Sequence, residues 1–269
     1  KTYRLATQLA APIAPLLLAW RTQKGKEEPN RRPERYGHAS AARPTGFLVW
    51  FHAASVGETN AALPDIDHIA QARPDIRLLL TTATVTSARQ GCARLHVEAI
   101  HQDIPLDLSS YLKRFLCHGS RDLAILVESE IWPNLVLETK QAEIPLLLIN
   151  ARMSGPSYKR WRRRPGMSRP IFSSFELVLA QNERLAEQFS QLGAPQSLSA
   201  GNLKADAPPP PVDEAAKADI SAAFWKRPIW LAASTHPGED EIVGAAHAKI
   251  KEALPGIATI IVPRHPERG

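Results

Sequence analysis

The sequence predicts an α/β fold of open, doubly wound parallel sheets in two domains, the second incomplete. Three observations predict it. Continuous apolar runs alternate with segments of helical spacing, the pattern of parallel strands covered on both faces. The alternation breaks at a run of four prolines, 208–211, which cannot be the interior of a strand or helix. It then restarts, but two strands and one helix follow before residue 269, whereas a domain of ordinary size needs roughly 100 residues more.

The first element is an apolar stretch, 5–20 (LATQLAAPIAPLLLAW), with Pro12 and Pro15 inside it. A spanning helix needs about 20 apolar residues, and no small-residue cleavage site follows; Arg21, Lys24 and Lys26 come next. Apolar residues followed by basic ones suit a helix lying on a membrane face, or one packed on its own domain. Residues 24–43 are charged and contain prolines, and read as a linker. Strands are then expected at 47–51 (FLVWF), 77–82 (RLLLTT), 123–127 (LAILV), 145–149 (PLLLI) and 177–180 (LVLA), with helices at 58–72, 86–95, 132–141 and 183–192. After the prolines come strands 228–233 and 257–262 with a helix at about 239–254 between them. The expected organisation is a membrane-associating helix at 1–23, a linker at 24–45, a Rossmann-like domain at 46–206, a Pro-rich connector at 207–226 and the start of a second domain at 227–269.

Composition narrows the function classes only partly. Lys and Arg exceed Asp and Glu by 33 to 27, giving +6, which suits nucleic acid, an anionic membrane or a phosphorylated substrate. Aromatic content of 6% argues against stacking platforms for single-stranded nucleic acid. Cys92 and Cys117 lie in no CxxC or Cys/His spacing, so neither a zinc site nor a disulfide framework is readable.

In open α/β sheets ligands bind beyond the carboxyl ends of the strands, so the loops after strands carry the chemistry. HAASVGE (52–58) puts small residues at a helix N-terminus, where backbone amides can approach an anion. It lacks the GxGxxG spacing of a dinucleotide site. Glu58 is either a first-turn carboxylate complementing the helix dipole or a general base facing the cleft. ESEIWPN (128–134) puts Glu128 and Glu130 directly after a buried strand, costly unless they are paired or functional. NAR (150–152) is followed by a basic helix, and residues 159–169 hold six basic side chains and no acidic one. Lys159, Arg160, Arg162, Arg163 and Arg164 form the candidate phosphate patch, or else a solvated basic face. STHPGE (234–239) and PRHPER (263–268) follow the two later strands; Ser234, Thr235 and Arg264 can donate to phosphate, while His236 and His265 lack a third metal ligand.

HAASVGE, ESEIWPN, NAR with its basic helix, GNLKAD (201–206), STHPGE and PRHPER occur in this order in a family that the chain closely resembles, the Kdo (3-deoxy-D-manno-octulosonic acid) transferases of Gram-negative bacteria. The resemblance implies an inverting, metal- and cofactor-independent glycosyltransferase of the two-Rossmann-domain GT-B type. It implies CMP-Kdo as donor and a lipid A precursor as acceptor, at the cytoplasmic face of the inner membrane, and no nucleic acid. By motif match Glu58 would be the base that deprotonates the acceptor hydroxyl, and Glu128 would orient the acceptor or support Glu58. Pro263 and Arg264 match a CMP-contacting position, and Ser55, Gly57, Arg152, Lys204, Ser234 and Thr235 fall in the matched motifs as further substrate- or nucleotide-binding candidates. Asn60 departs from the pattern, standing where an apolar residue is expected, and the family's later glycine-rich nucleotide segment is expected beyond residue 269. The rival readings are a GT-B transferase using another nucleotide-sugar and a non-catalytic, basic binding fragment.

Overall fold

The structure, a computed structural model, describes residues 2–95, 99–118, 121–205, 212–224 and 226–268. The chain divides into two compact units, Lys1–Ala207 and Pro208–Gly269. The proline run 208–211, expected as a connector, lies outside the described residues.

In chain order the first unit comprises α1 (Thr2–Ala10), α2 (Ala14–Gln23), α3 (Arg32–Arg35), β1 (Leu48–His52), α4 (Val56–Ala72), β2 (Arg77–Thr82), α5 (Val85–Arg94), β3 (Ile100–Asp103) and α6 (Ser109–His118). It continues with β4 (Leu123–Val127), α7 (Pro133–Gln141), β5 (Leu146–Ala151), α8 (Gly155–Arg162), α9 (Pro165–Phe172), β6 (Leu177–Ala180), α10 (Glu183–Leu192) and β7 (Ser197–Ser199). All seven strands are parallel, in the order β3-β2-β1-β4-β5-β6-β7. The direction of winding reverses between β1 and β4, which makes their carboxyl ends the crevice of a doubly wound sheet.

The two-residue period of each strand splits the core into two layers. Trp50, Leu126, Leu148, Phe172 and Phe189 bury one face. Val49, Phe51, Ile66, Leu80, Ile125 and Val127 bury the other. Both faces are dry, which is why the strands read as unbroken apolar runs. The sequence reading missed β3 (IHQD) and β7 (SLS) because they are short, polar edge strands without such a run. Asn60 also finds its reason here: its Oδ1 accepts from Gln90 Nε2 at 2.8 Å and Arg94 Nη1 at 2.9 Å, tying α4 to α5.

The segment expected as a linker at 24–45 is instead partly a packed strap. Glu27, Glu34 and Arg35 are buried. Glu34 pairs with Arg31 at 2.7 Å and accepts the Asp103 N–H at 2.5 Å, and Arg35 pairs with Glu27 at 3.3 Å. Charged side chains that satisfy one another can pack like apolar ones, and composition alone does not distinguish them from a solvated linker. Ahead of the strap, α1 is fastened by polar contacts. Arg4 pairs with Glu138, Tyr3 Oη donates to Asp107 at 2.8 Å, and Asn134 Nδ2 donates to Thr7 at 2.9 Å. Leu5, Leu9, Ile13, Leu16 and Trp20 are left exposed. Among the described residues no helix is long and apolar enough to cross a membrane.

The second unit holds α11 (Glu214–Ala223), β8 (Ile229–Thr235), α12 (Glu239–Ala253) and β9 (Ala258–Pro263), with β8 and β9 paired in parallel.

Candidate active site

The loops after β1, β4 and β5 meet at the reversal of the sheet. After β1 the chain turns at Ser55, which caps α4 reciprocally. Ser55 Oγ accepts from the Glu58 N–H at 3.4 Å, and Glu58 Oε2 accepts from the Ser55 N–H at 3.1 Å. Glu58 therefore does serve the helix start, but that does not exhaust its chemistry. It is only 7% exposed. Burial first, and then the charge of Glu130, push its carboxyl above the usual carboxylate range; the Ser55 N–H and His52 oppose this, while Glu128 adds to it. Gly57, in the same turn, is exposed, and a Cβ there would stand 3.8 Å from Lys204 Nζ.

Glu128, 1% exposed, sits just past β4 with a left-handed backbone (φ 58°). That conformation costs a non-glycine residue roughly 1–3 kcal/mol and survives only where surrounding contacts enforce it. Arg152 Nε lies 2.7 Å from Oε2 and Lys204 Nζ 2.5 Å from Oε1. Asn150 Nδ2 donates to Oε1 at 3.4 Å. Asn150 is also left-handed (φ 50°), at a register shift of β5 against β6 that turns its side chain toward Glu128. Its Oδ1 accepts from Gln181 Nε2 at 3.1 Å and from the Leu203 N–H at 3.2 Å. This holds the turn at residues 202–204 in place and carries Lys204 to the site.

The sequence marks Glu130 only jointly with Glu128, as an acid that must be paired or functional, and gives His52 and Asn150 no role of their own. His52, fully buried at the end of β1, contacts Thr81 through Nδ1 and faces Glu130 Oε2 with Nε2 at 3.5 Å. Trp132 packs edge-on against the imidazole, with ring centroids 5.3 Å apart. The available signal was position: each stands at, or just past, the carboxyl end of a buried strand.

Beside this cluster opens a cavity of about 790 Å³ lined by Arg152, Arg160, Arg164 and Arg184 and by the apolar Ile131, Trp161, Met167 and Leu185, with Tyr3 of α1 at its edge. Lys159, Arg160, Arg162, Arg163 and Arg164 are all exposed. Arg160 and Arg164 face this cavity, Lys159 and Arg163 face an adjoining hollow, and Arg162 lies over the Tyr158 ring at 5.7 Å.

In the second unit Ser234, Thr235, Pro263 and Arg264 come together at the carboxyl ends of β8 and β9. Ser234 is left-handed (φ 59°) at a register shift, Thr235 pairs with Pro263, and the Arg264 N–H donates to Thr235 O at 3.0 Å. Thr235 Oγ1 is buried without a hydrogen-bond partner. Among the described residues no three His, Cys, Asp or Glu side chains converge as metal ligands.

Comparison with known proteins bears on both fold and family. The chain aligns with the S. aureus MnaA–UDP structure at a TM-score of 0.55 and 12% identity, covering 82% of this chain and 64% of that one. It aligns with the UDP-GlcNAc 2-epimerase of Neisseria meningitidis bound to UDP-GlcNAc at 0.54 and 14%, covering 81% and 65%. At such identities the likeness is one of fold, and it agrees with the α/β, GT-B-type reading. The 3-deoxy-D-manno-octulosonic acid transferase of Rickettsia bellii is 35% identical over 100% of this chain and 64% of its own length. That of Haemophilus influenzae is 35% identical over 94% of this chain and 59% of its own length. The chain thus spans about three fifths of the length of these relatives. The 3-deoxy-D-manno-octulosonic-acid transferase (kdotransferase) family matches residues 30–207, the unit that holds Glu58, Glu128 and their partners, and the chain belongs to that family.

Proposed function

We propose that this chain carries the acceptor-side part of an inverting glycosyltransferase that moves Kdo from CMP-Kdo to a lipid A precursor at the cytoplasmic face of the bacterial inner membrane. The observation that carries the reading is Glu58: a nearly buried carboxylate of raised proton affinity at the reversal of the sheet, in a cluster whose Arg152 also lines the arginine-rich cavity. An unactivated alcohol is a poor nucleophile, and a carboxylate whose proton affinity is raised toward that of the working medium is a better general base. In this reading Glu58 takes the proton of the acceptor hydroxyl as its oxygen attacks the anomeric carbon of Kdo. The bond to CMP breaks on the opposite side, which inverts the configuration without a covalent intermediate.

The remaining residues support the same reading. Glu128, fixed by Arg152 and Lys204, presents those two cations at the rim of the site as partners for an anionic substrate. Arg160, Arg164 and Arg184 suit the phosphates of the acceptor, and Ile131, Trp161 and Met167 suit its apolar part. Ser234, Thr235 and Arg264 in the second unit are the candidates for the departing CMP. The exposed apolar side chains of α1 and α2 suit the membrane surface from which an acylated acceptor would be taken.

The test is Kdo transfer from CMP-Kdo to lipid A precursor by the chain extended to the full length of its relatives, compared with its Glu58→Gln variant. Transfer by the parent and a loss of about 10²-fold or more in a folded variant is the expected outcome. A folded parent that leaves intact CMP-Kdo unused overturns the assignment of donor and acceptor.

A further inference from the structure

His52 and Glu130 are bound together by an unsatisfied need. His52 Nε2 and Glu130 Oε2 are both cut off from solvent, and among the described residues neither has a hydrogen-bond partner. They lie 3.5 Å apart. Leaving two such polar atoms buried and bare is expensive, and a proton between them would satisfy both.

The other side of the imidazole fixes where its first hydrogen is. Nδ1 lies 3.2 Å from the Thr81 carbonyl oxygen, which can only accept, and 3.0 Å from Thr81 Oγ1. Thr81 Oγ1 receives the Trp50 Nε1–H at 2.8 Å and gives its own hydrogen to Phe51 O at 3.3 Å. Nδ1 therefore carries a hydrogen and donates it. In the neutral ring this leaves Nε2 as a bare lone pair aimed at a carboxylate oxygen, an arrangement that repels. One added proton turns the repulsion into a hydrogen bond, whether it sits nearer nitrogen or nearer oxygen.

We propose that His52 and Glu130 share a single proton between Nε2 and Oε2, and that this one-proton pair is a positioning element that leaves Glu58, among the described residues, as the site carboxylate without an ion pair or a shared proton of its own. The charges then balance residue by residue. Glu128 has Arg152 and Lys204, Glu130 has the shared proton, and Glu58 has only the Ser55 N–H. Two buried carboxylates and a third whose Oε2 is cut off from solvent cannot all stay ionised side by side without compensation. The pair neutralises Glu130 without forming an ion pair with Glu58, whose raised proton affinity then rests on burial, its largest cause, rather than on the Glu130 charge. The groups facing Glu58 are thus the pair, Glu128 with its two cations, and the start of α4; those facing the pair are Thr81, Trp132 and Glu58. This inference deepens the reading of Glu58 as a base and rests on it for its functional meaning, but the charge arrangement itself can be tested without any transfer reaction.

The experiment follows the ¹³C carboxyl resonance of Glu58, assigned by its absence in Glu58→Gln, through a pH titration of the 269-residue chain. It is repeated in His52→Gln, Glu130→Gln and the double variant. His52→Gln removes the site of the shared proton and strands a bare carboxylate next to Glu58, so the Glu58 midpoint rises by about 1 unit or more. Glu130→Gln removes proton and charge together and produces no rise, and the double variant returns to the parent within about half a unit. A His52→Gln midpoint that stays or falls, or a double variant that keeps the rise, overturns the proposal. Should His52→Gln not fold, ring ¹⁵N shifts of His52 in the parent decide: an Nε2 resonance moved away from the free, unprotonated imidazole-nitrogen position at about pH 7 is expected, because Nε2 shares a proton with Glu130, and an Nε2 at the free, unprotonated position overturns the proposal. An absence of Kdo transfer in the separate assay would sink the proposed reaction while leaving these shifts to stand or fall alone.

Discussion

Glu128 shows how much one side chain can be made to depend on its neighbours. Its carboxylate is buried, and its two cations are each about half exposed. Removing one cation leaves the other in place, so Arg152→Ala or Lys204→Ala alone is expected to cost about 1 kcal/mol. Removing both strands a buried charge, and the double variant is expected to lose about 3 kcal/mol or more, beyond the sum of the singles. Urea unfolding of the four proteins checks this. Glu58 has the opposite sign. Its folded-state proton affinity is raised, so the stability it contributes is full below its unfolded value and is lost as pH rises through its higher folded value. Glu58→Gln, which can still accept the Ser55 N–H in the capping box, is therefore expected to melt higher than the parent near neutral pH, with the gap closing in acid. Both carboxylates were legible in the sequence, because an acid directly after a buried strand or opening its helix is conspicuous. Which cation met which acid was not. Lys204 lies 76 positions from Glu128 and comes near it only because Asn150 holds the turn before it.

Among the elements, the central strands and their helices followed directly from apolar runs, whereas the edges of the sheet and the strap did not. The strap is held by ion pairs, by the Leu106 N–H donating to Arg35 O at 3.0 Å and by Tyr36 packing edge-on against Tyr111, and its environment is far from that of a linker. Burial pushes Asp103 up to about 6 and His101 down to about 4, so the histidine is neutral there and the aspartate is reluctant to ionise. Glu34 joins Arg31 to the backbone of β3. Glu34→Ala is expected to cost about 3 kcal/mol and to open the 24–40 segment to proteolysis while leaving the central strands protected from amide exchange. Equal proteolysis of parent and variant would show that the strap is held by something else. The basic helix was legible as charge; the cavity beside it was not, since it needs α8, α10 and the β4 and β5 loops brought together.

At the scale of the molecule, the first unit puts two kinds of surface on one body: the exposed apolar side chains of α1 and α2 and the exposed cations of α8 and the residues after it. Together they suit an anionic bilayer, with apolar insertion and charge each contributing. Replacing Leu9 and Leu16 with Ser is expected to weaken binding to anionic vesicles about tenfold at any salt, leaving the melting temperature unchanged because neither side chain is packed. Raising salt is expected to weaken the parent further, by screening Arg160 and Arg164. Vesicle binding that ignores both changes would remove the membrane from the picture. The sheet itself carries one more implication. Leu203 and Lys204 are fastened to Asn150 and Glu128, and the backbone leaves the first unit immediately afterwards. The last described residues of the first unit are thus tied to a buried carboxylate 76 positions earlier, so that where residues 203–204 lie and how Glu128 is charged are set together.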